Sequence, residues 1–283
     1  MATKINWYNN NEILEWSWAS DNEMIEHPHW TSCYLIDGVL IDSGPPGGVK
    51  DFREFITSLE PETVIICVLT HSHEDHVGGA HILQEEFKIP IYASKEAIPI
   101  IKVGYTYPEY RQITWGTDLN PVDVELAPNP IYSKNRKYCF DLLPIPGHAP
   151  DQIALIEKEQ QWTFVADGVI PKYKRIFGTT SNIKEDISQI YQSMQNLYEF
   201  TDKMDDLQIF LSGRGVVFGR EYLLNRMQEI MNLRERAHEL RELGKTIEEI
   251  TRNIFPGEDF FSIITNGELS YQNLVESLLE WKI

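Results

Sequence analysis

Cysteine, long apolar runs and basic charge are all scarce in this sequence. Its three cysteines, Cys33, Cys67 and Cys139, are odd in number and scattered through apolar surroundings. That pattern argues against a disulfide framework or a cysteine metal cluster. No apolar run approaches the roughly 20 residues that span a bilayer, and the first residues lack the apolar core of a signal peptide. We therefore expect a cytoplasmic protein with small, reduced core cysteines and no membrane partner.

Basic residues are strongly outnumbered, with 25 Lys and Arg against 43 Asp and Glu and a formal net charge of −18. Such a surface repels the phosphate backbone of nucleic acid and anionic membranes, so we expect neither as a partner. The 283 residues suffice for one sizeable core and an appended unit. We expect a small-molecule substrate, and self-association into a homo-oligomer is left open.

The sequence is organised around His71-Ser-His73-Glu-Asp75-His76, which follows the apolar run at 64–69. Alternate residues of a strand face the same side, so His71 and His73 can face a common point as the strand ends. The next turn would bring Asp75 and His76 to the opposite side of that point. Imidazole nitrogens with a carboxylate oxygen suit zinc, with iron and manganese as alternatives. The stretch predicts a metal site.

Three further motifs follow predicted strands. They are Asp42 in Leu-Ile-Asp-Ser-Gly, His148 in Pro-Gly-His-Ala, and Asp167 in Val-Ala-Asp-Gly. Together with the His-x-His-x-Asp-His stretch, they resemble the metallo-β-lactamase-fold hydrolases over roughly residues 30–219. The closer likeness is to the glyoxalase II and lactonase branches, so β-lactam cleavage is less expected. The resemblance implies an α+β fold, a metallo-β-lactamase-like αββα sandwich.

The resemblance also implies a ligand set for two metal positions. His71, His73 and His148 would hold the first ion, and Asp75, His76 and one more histidine the second, with Asp167 bridging them. Zinc is the expected metal, as one or two ions, with iron or manganese as alternatives. A metal-bound hydroxide would attack a carbonyl, Asp75 would orient it or accept its proton, and Asp42 would orient a ligand histidine.

The sequence departs from the family pattern at Arg214, which stands between two glycines where a histidine is usual. A guanidinium stays protonated and cannot ligate a cation. One metal can therefore suffice, or Asp75, His76, Asp167 and water can still hold a second ion. In a third alternative, Arg214 replaces that ion and binds a substrate carboxylate or the oxyanion. We expect a fully held first metal and a weakened second one, with Asp75 and Arg214 as catalytic residues.

The leading functional hypothesis is a metal-dependent hydrolase of a carbonyl ester, thioester or lactone. The alternatives are a mononuclear-iron sulfur dioxygenase and a non-catalytic metal-binding scaffold. The basic cluster Lys172, Lys174 and Arg175 follows Asp167 and is either an anion-binding element or a solvated loop. The aromatic- and proline-rich segment 104–137 has no amphipathic run of helix length. It is interpreted as a wall of the active site or as a surface hairpin.

The composition shifts near residue 220. We predict a metal-binding hydrolase domain over residues 1–219 and a C-terminal helical, winged-helix-like domain over residues 220–283. Its helices are expected at 222–243, at 246–254 with a Thr246 cap, and at 270–281. Amphipathic helices are also expected over 77–87 and over 183–200. Asp37-Gly38, between two apolar runs, predicts a two-residue hairpin turn. His27 and His29 are interpreted as loop or substrate-mouth residues.

Overall fold

A computed structural model describes residues 2–21, 28–117, 119–178 and 184–282. Within them the strands are β1 (Ala2–Tyr8), β2 (Ile13–Ala19), β3 (Trp30–Ile36), β4 (Val39–Ile41), β5 (Ile66–Val68), β6 (Ile91–Ala93), β7 (Glu125–Leu126), β8 (Ile131–Tyr132), β9 (Cys139–Pro144), β10 (Ile153–Glu157), β11 (Trp162–Ala166), β12 (Ile176–Phe177), β13 (Gln208–Leu211), β14 (Gly215–Phe218) and β15 (Leu269–Ser270). The helices are α1 (Val49–Ser58), α2 (Glu74–Val77), α3 (Ala80–Glu85), α4 (Ile98–Val103), α5 (Glu109–Trp115), α6 (Ile187–Phe200), α7 (Glu221–Glu242), α8 (Ile247–Ile254), α9 (Phe260–Ile264) and α10 (Tyr271–Glu280). A short 3₁₀ turn at Pro46–Gly48 precedes α1.

Two mixed sheets form the centre of the fold. In the described residues, the first sheet has the order β1-β2-β3-β4-β5-β6-β7 and the second β14-β13-β11-β10-β9-β8. β12 and β15 form a separate pair. The predicted hairpin at Asp37-Gly38 is present, joining the antiparallel strands β3 and β4.

The sheets pack face to face, and their central strands β3, β4, β10 and β11 are buried on both sides. Along β5, Val68 contributes to the cluster between the sheets, whereas Cys67 faces the outer cluster with α1 and α3. The outer face of the second sheet packs against α6 and the C-terminal helices. The layers therefore run helix, sheet, sheet, helix, and the predicted α+β αββα sandwich is confirmed. All three cysteines are free thiols, and Cys33 and Cys67 are buried.

Several carboxyl ends of strands meet at one edge of this sandwich. β4 and β5 are parallel neighbours in the first sheet, and β11 and β13 are parallel neighbours in the second. β9 runs the same way as β11, because each is antiparallel to β10. The segments that follow these strands carry the polar motifs, so the topology collects them at one edge.

Two sequence-based predictions of helices need correction. The helix expected over 77–87 is divided into α2 and α3 by Gly78 and Gly79. A Cβ atom at Gly78 would lie 2.2 Å from the nitrogen of Pro46, and one at Gly79 would lie 2.4 Å from the carbonyl oxygen of Ser43. In segment 104–137, which showed no helical pattern, the structure has the seven-residue helix α5. Seven residues are too few for a clear helical period.

The C-terminal helices share a buried cluster with the second sheet. Ile209 of β13, Met194 of α6, Ile230 of α7 and Leu274 of α10 belong to the same cluster. Thr246 caps α8 in a capping box, as predicted. The domain boundary at 219/220 and the winged-helix likeness stay predictions. The predicted start of the long helix at 183, like His27, lies outside the described residues, and the helix observed there begins at Ile187.

No helix within the part of the chain described above combines the length and apolar character needed to cross a bilayer.

Candidate metal centre

Three imidazoles converge at the shared edge of the two sheets. His71 and His73 follow β5, and His148 lies in the turn after β9. One potential ligand atom of each lies within 4.8 Å of the others. His73 Nδ1 is 3.1 Å from His148 Nε2. The predicted grouping of these three side chains is therefore present in the fold.

A second group shares His71 and adds His76 and Asp167, again within 4.8 Å of one another. His76 Nε2 lies 3.2 Å from Asp167 Oδ2 and 3.4 Å from Asp75 Oδ2. Asp167 Oδ2 is also 3.7 Å from His148 Nε2, so this oxygen stands between the two groups. The structure thus brings together all six side chains that the sequence predicted as ligands. Their assignment as ligands stays a prediction.

Carboxylates outside the two groups fix the orientation of two rings. The Nδ1–H of His76 donates to Asp42 Oδ2 at 2.7 Å, while Thr70 donates to the same carboxylate from its backbone N–H and its hydroxyl. The Nδ1–H of His148 donates to Glu185 Oε1 at 2.6 Å. Each contact leaves Nε2 of the ring facing the centre, as partners of metal-binding histidines do. Asp42 stands where the resemblance implied, whereas Glu185 was not foreseen.

The pKa directions reflect this crowding of buried groups. Burial holds the pKa of His71 and His73 well below its usual value, with the neighbouring imidazoles adding to the effect. Burial acts in the same direction on His76, but the carboxylates of Asp75 and Asp42 outweigh it and raise its pKa well above the usual value. Burial alone would raise the pKa of Asp167, yet His76, His148 and Arg214 hold it well below the usual range. The centre thus keeps His71 and His73 in the neutral form and Asp167 in the ionised form.

The residues present fit a divalent metal ion. His71 Nε2 is buried and has no hydrogen-bond partner among the residues that the structure describes, although buried polar atoms are almost always paired. Neutral imidazoles with one carboxylate oxygen are the donors that zinc prefers, and iron and manganese are compatible with them. A cation bound there would give His71 Nε2 a partner.

Arg214 lies beside the second group, at the turn between β13 and β14. Its Nη1 is 3.3 Å from Asp167 Oδ1 and also donates to the carbonyl oxygen of Ser212. The side chain is 44% exposed, so it reaches the centre from the solvent side. The guanidinium therefore contacts the carboxylate that is shared between the two groups.

Arg111 is a site residue that the sequence patterns did not reveal. It lies on the short helix α5, next to the metal centre. The Nε–H of Arg111 donates to Glu74 Oε1 at 2.5 Å. Its Nη2 lies 3.7 Å from Asp75 Oδ1. Tyr105 donates to the other oxygen of Glu74 at 3.0 Å. Segment 104–137 thus forms part of the site, as one of the two interpretations proposed.

A cavity of about 320 Å³ opens over the centre. Lys172, Lys174, Arg175 and Arg214 contribute to its lining, so the predicted basic cluster faces this cavity. Arg175 also pairs with Asp259 at 3.2 Å. The lining is otherwise partly apolar and aromatic, and it includes His29, Trp115, Phe177, Phe261 and Ile264.

No local signal identifies Arg111 or Glu185 in the sequence. Arg111 follows Glu74 by 37 residues, and Glu185 follows His148 by the same number. Their partners are set by the folding of α5 and by the start of α6. A glutamate just before a helix is common for reasons of capping and helix dipole alone.

Comparison with known proteins agrees with this geometry. A family model described as the metallo-beta-lactamase superfamily matches residues 30–175. The sequence is 29% identical over 147 residues to hydroxyacylglutathione hydrolase GloC of Haemophilus influenzae, covering 48% of this chain and 65% of that protein. It is 27% identical over 186 residues to a hydroxyacylglutathione hydrolase of Nitrosomonas europaea, covering 65% of this chain and 56% of that one. The chain thus spans less than two thirds of the length of these relatives.

A solved structure extends the likeness at the level of the fold. A metallo-beta-lactamase from Pontibacter korlensis superposes with a TM-score of 0.61 at 15% identity. The superposition covers 80% of this chain and 99% of the other. At that identity the comparison concerns the fold alone.

Proposed function

The chain belongs to the metallo-β-lactamase superfamily, and from this premise we propose that it is a metal-dependent hydrolase of a carbonyl ester, thioester or lactone. The observation that carries the proposal is the convergence of His71, His73 and His148. Within the described part of the chain, a buried nitrogen of His71 has no hydrogen-bond partner. The hydrolase names of the two bacterial relatives support the reaction class. Zinc is the proposed metal, because imidazoles dominate the donor set.

The three imidazoles would hold the ion. A divalent ion at this position supplies an activated water near neutral pH and polarises a carbonyl oxygen. Asp75 is proposed to orient the attacking water and to accept its proton, because one of its oxygens faces the centre beside His76. Its buried position keeps bulk water from competing for that contact, since Asp75 is 6% exposed.

Arg214 is proposed to take the place of a second ion. Its contact with Asp167 puts a permanent positive charge next to the carboxylate that would bridge two metals. That charge opposes a second cation and can instead stabilise the oxyanion of the tetrahedral intermediate or a substrate carboxylate. We therefore propose one firmly held ion and a weakened second position.

The substrate is proposed to be a small molecule with an anionic group. Lys172 and Lys174 face the same cavity as Arg214, and both lysines are exposed and available to a ligand. Several cations around one cavity stand out in a chain of formal net charge −18. The hydroxyacylglutathione named for the relatives is one anionic thioester to test.

The test is hydrolysis by zinc-loaded protein of a hydroxyacylglutathione, p-nitrophenyl acetate and an acyl lactone. We expect turnover of at least one substrate that is lost on chelation and restored by zinc. Asp75→Asn should lower kcat by about 100-fold or more, within the range of acid–base catalysis. Protein that holds zinc yet hydrolyses none of the three would contradict the proposal. Oxygen consumption with a persulfide substrate by iron-loaded protein would favour the dioxygenase alternative instead.

A further inference from the structure

Arg111 is a buried cation on α5, far in sequence from the His-x-His-x-Asp-His motif, and it contacts the metal centre at Asp75. Its side chain is 6% exposed and contacts two consecutive residues of α2, Glu74 and Asp75. Helix α5, which carries it, begins after Pro108 and ends before Gly116. The guanidinium also packs over the ring of Phe177 at 4.9 Å, so its plane is held from a second side.

The pairing with Glu74 and the packing over Phe177 account for the burial of Arg111 without Asp75. Glu74 is fully buried, and it receives hydrogen bonds from Arg111 and from the Tyr105 hydroxyl. Buried ion pairs need such hydrogen bonds to offset the loss of hydration. The approach of the guanidinium to Asp75 is an additional contact, and it requires a separate explanation.

The two oxygens of Asp75 face different partners. Oδ1 lies 3.7 Å from Arg111 Nη2, whereas Oδ2 lies 3.4 Å from His76 Nε2. A carboxylate with a different partner at each oxygen cannot rotate about its Cβ–Cγ bond without weakening one of the two contacts. The orientation of the Asp75 carboxylate is therefore set by a contact at each of its two oxygens.

We propose that Arg111 is the positioning residue for Asp75: it attracts Oδ1 and thereby presents Oδ2 to the reacting centre. The inference rests on the proposed function, since the orientation of Asp75 affects turnover only if Asp75 takes part in the reaction. Arg111 also contributes to the lining of the cavity over the centre. The proposal is that its effect on the rate passes through Asp75.

The first part of the test is structural. Arg111→Met alone leaves Glu74 buried and unpaired, which can unfold the protein. The double variant E74Q/R111M removes both charges of the pair together and is expected to fold. We expect crystal structures of the zinc-bound double variant to show the Asp75 carboxylate turned away from its wild-type orientation. An unchanged carboxylate in a folded variant would overturn the proposal.

The second part is kinetic and uses a double-mutant cycle. We expect E74Q/R111M to lower kcat by about 10- to 100-fold with KM within about twofold, as for residues that orient a metal site. Adding these changes to Asp75→Asn should lower kcat no further. Losses that multiply would show that Arg111 acts independently of Asp75 and would contradict the proposal. Arg53→Met is the matched control, because Arg53 forms an exposed pair with Glu86 away from the site, and its kcat should equal that of the wild type.

The two proposals fail in different ways. A wild-type protein without hydrolase activity would overturn the proposed function, while the crystal structures would still report on the orientation of Asp75. An active wild type whose E74Q/R111M variant retains full kcat would overturn only the role of Arg111.

Discussion

At the scale of single residues, the centre combines imidazoles that can hold an ion with an arginine that cannot. His71, His73 and His148 bring three imidazole rings together in a buried cluster. Arg214 contacts Asp167 on the solvent side, where the resemblance implied a further histidine ligand. By our proposal, a positive guanidinium at that point would lower the affinity of the second position for a cation. The identity of one residue would then determine the number of ions bound.

Replacing Arg214 by histidine tests that role. Arg214→His removes a permanent charge beside Asp167 and supplies a nitrogen donor, so the affinity for a second zinc ion should rise by about 10-fold or more. Calorimetric titration with zinc measures the change. Arg252→His on α8 is the control, because Arg252 is exposed and pairs only weakly with Glu248, at 3.8 Å. An unchanged stoichiometry in Arg214→His would place residue 214 outside the second position.

His73 supports a simpler prediction. His73→Ala removes one imidazole of the first group, so zinc retention after gel filtration and hydrolytic activity should both be lost. His238→Ala is the matched control, since His238 contacts only the Leu278 carbonyl oxygen among the hydrogen bonds of the described residues. It should retain the metal content of the wild type. Full activity in His73→Ala would remove the basis of the site assignment.

At the scale of secondary structure, the start of α6 supports the loop that carries His148. The backbone N–H of Asp186 donates to the Gly147 carbonyl oxygen at 2.9 Å, and Ser193 donates to the Pro146 carbonyl oxygen. The carboxylate of Asp186 also caps the helix by accepting from the backbone N–H groups of Ser188 and Gln189. Asp186 thus caps α6 with its side chain and supports the loop that carries His148 with its backbone.

Asp186→Ala should lower the free energy of unfolding by about 1 kcal/mol, as for other N-cap losses. Burial alone would raise the pKa of Asp186, but hydrogen bonds from Ser188 and Gln189 lower it. Its contribution is therefore fully present above the unfolded-state pKa of about 3.9 and is lost as the pH falls through the lower folded value. Urea unfolding should show the difference from wild type shrinking below about pH 4. Asp186→Asn, which retains the cap, should stay close to wild type at pH 7.

Gly78 permits the close approach of α2 to the turn before α1. Gly78→Ala would place a Cβ atom 2.2 Å from the nitrogen of Pro46, which is backbone and cannot move freely. We expect a loss of about 3 kcal/mol, near the upper end for overpacking, and a lower melting temperature. Gly244→Ala is a useful comparison, because Gly244 also has a constrained backbone, with positive φ. No atom of the described residues lies within 4 Å of the point where its methyl group would stand. A loss in Gly78→Ala no larger than in Gly244→Ala would show that the contact with Pro46 is not tight.

Elements with a clear apolar run were predictable from sequence, and short ones were not. The run before His71 predicted β5, and the Asp37-Gly38 pair between two apolar runs predicted the hairpin of β3 and β4. The three histidines of the first group could be placed because each follows a strand. Helix α5 lacks a full amphipathic repeat, so neither the helix nor its Arg111 could be foreseen.

At the scale of the whole molecule, the charge around the cavity has the opposite sign to the net charge of the chain. The chain carries a formal net charge of −18, yet Lys172, Lys174, Arg175 and Arg214 line the cavity over the centre. If this local field attracts an anionic substrate, KM should rise several-fold between about 20 and 500 mM salt, because screening shortens the range of the interaction. A neutral ester measured in parallel should show little change. A KM for the anionic substrate that is independent of salt would argue against anion recognition at this cavity.

The C-terminal helices are joined to the metal-binding layers through a common apolar cluster. Ile230 of α7 and Leu274 of α10 lie in the cluster that also contains Val165, which is two residues before Asp167. The sequence predicted helices in this region from their apolar spacing. It could not predict this packing, because the contacts join residues far apart in the chain.

The central claim is that one ion is held firmly and that Arg214 weakens the second position. Elemental analysis of untagged protein, before and after equilibration with zinc and with manganese, tests it most directly. We predict a metal-to-protein ratio near one after equilibration with either metal, with zinc retained more firmly than manganese. A ratio near two that survives dialysis would contradict the claim and would restore a two-metal centre.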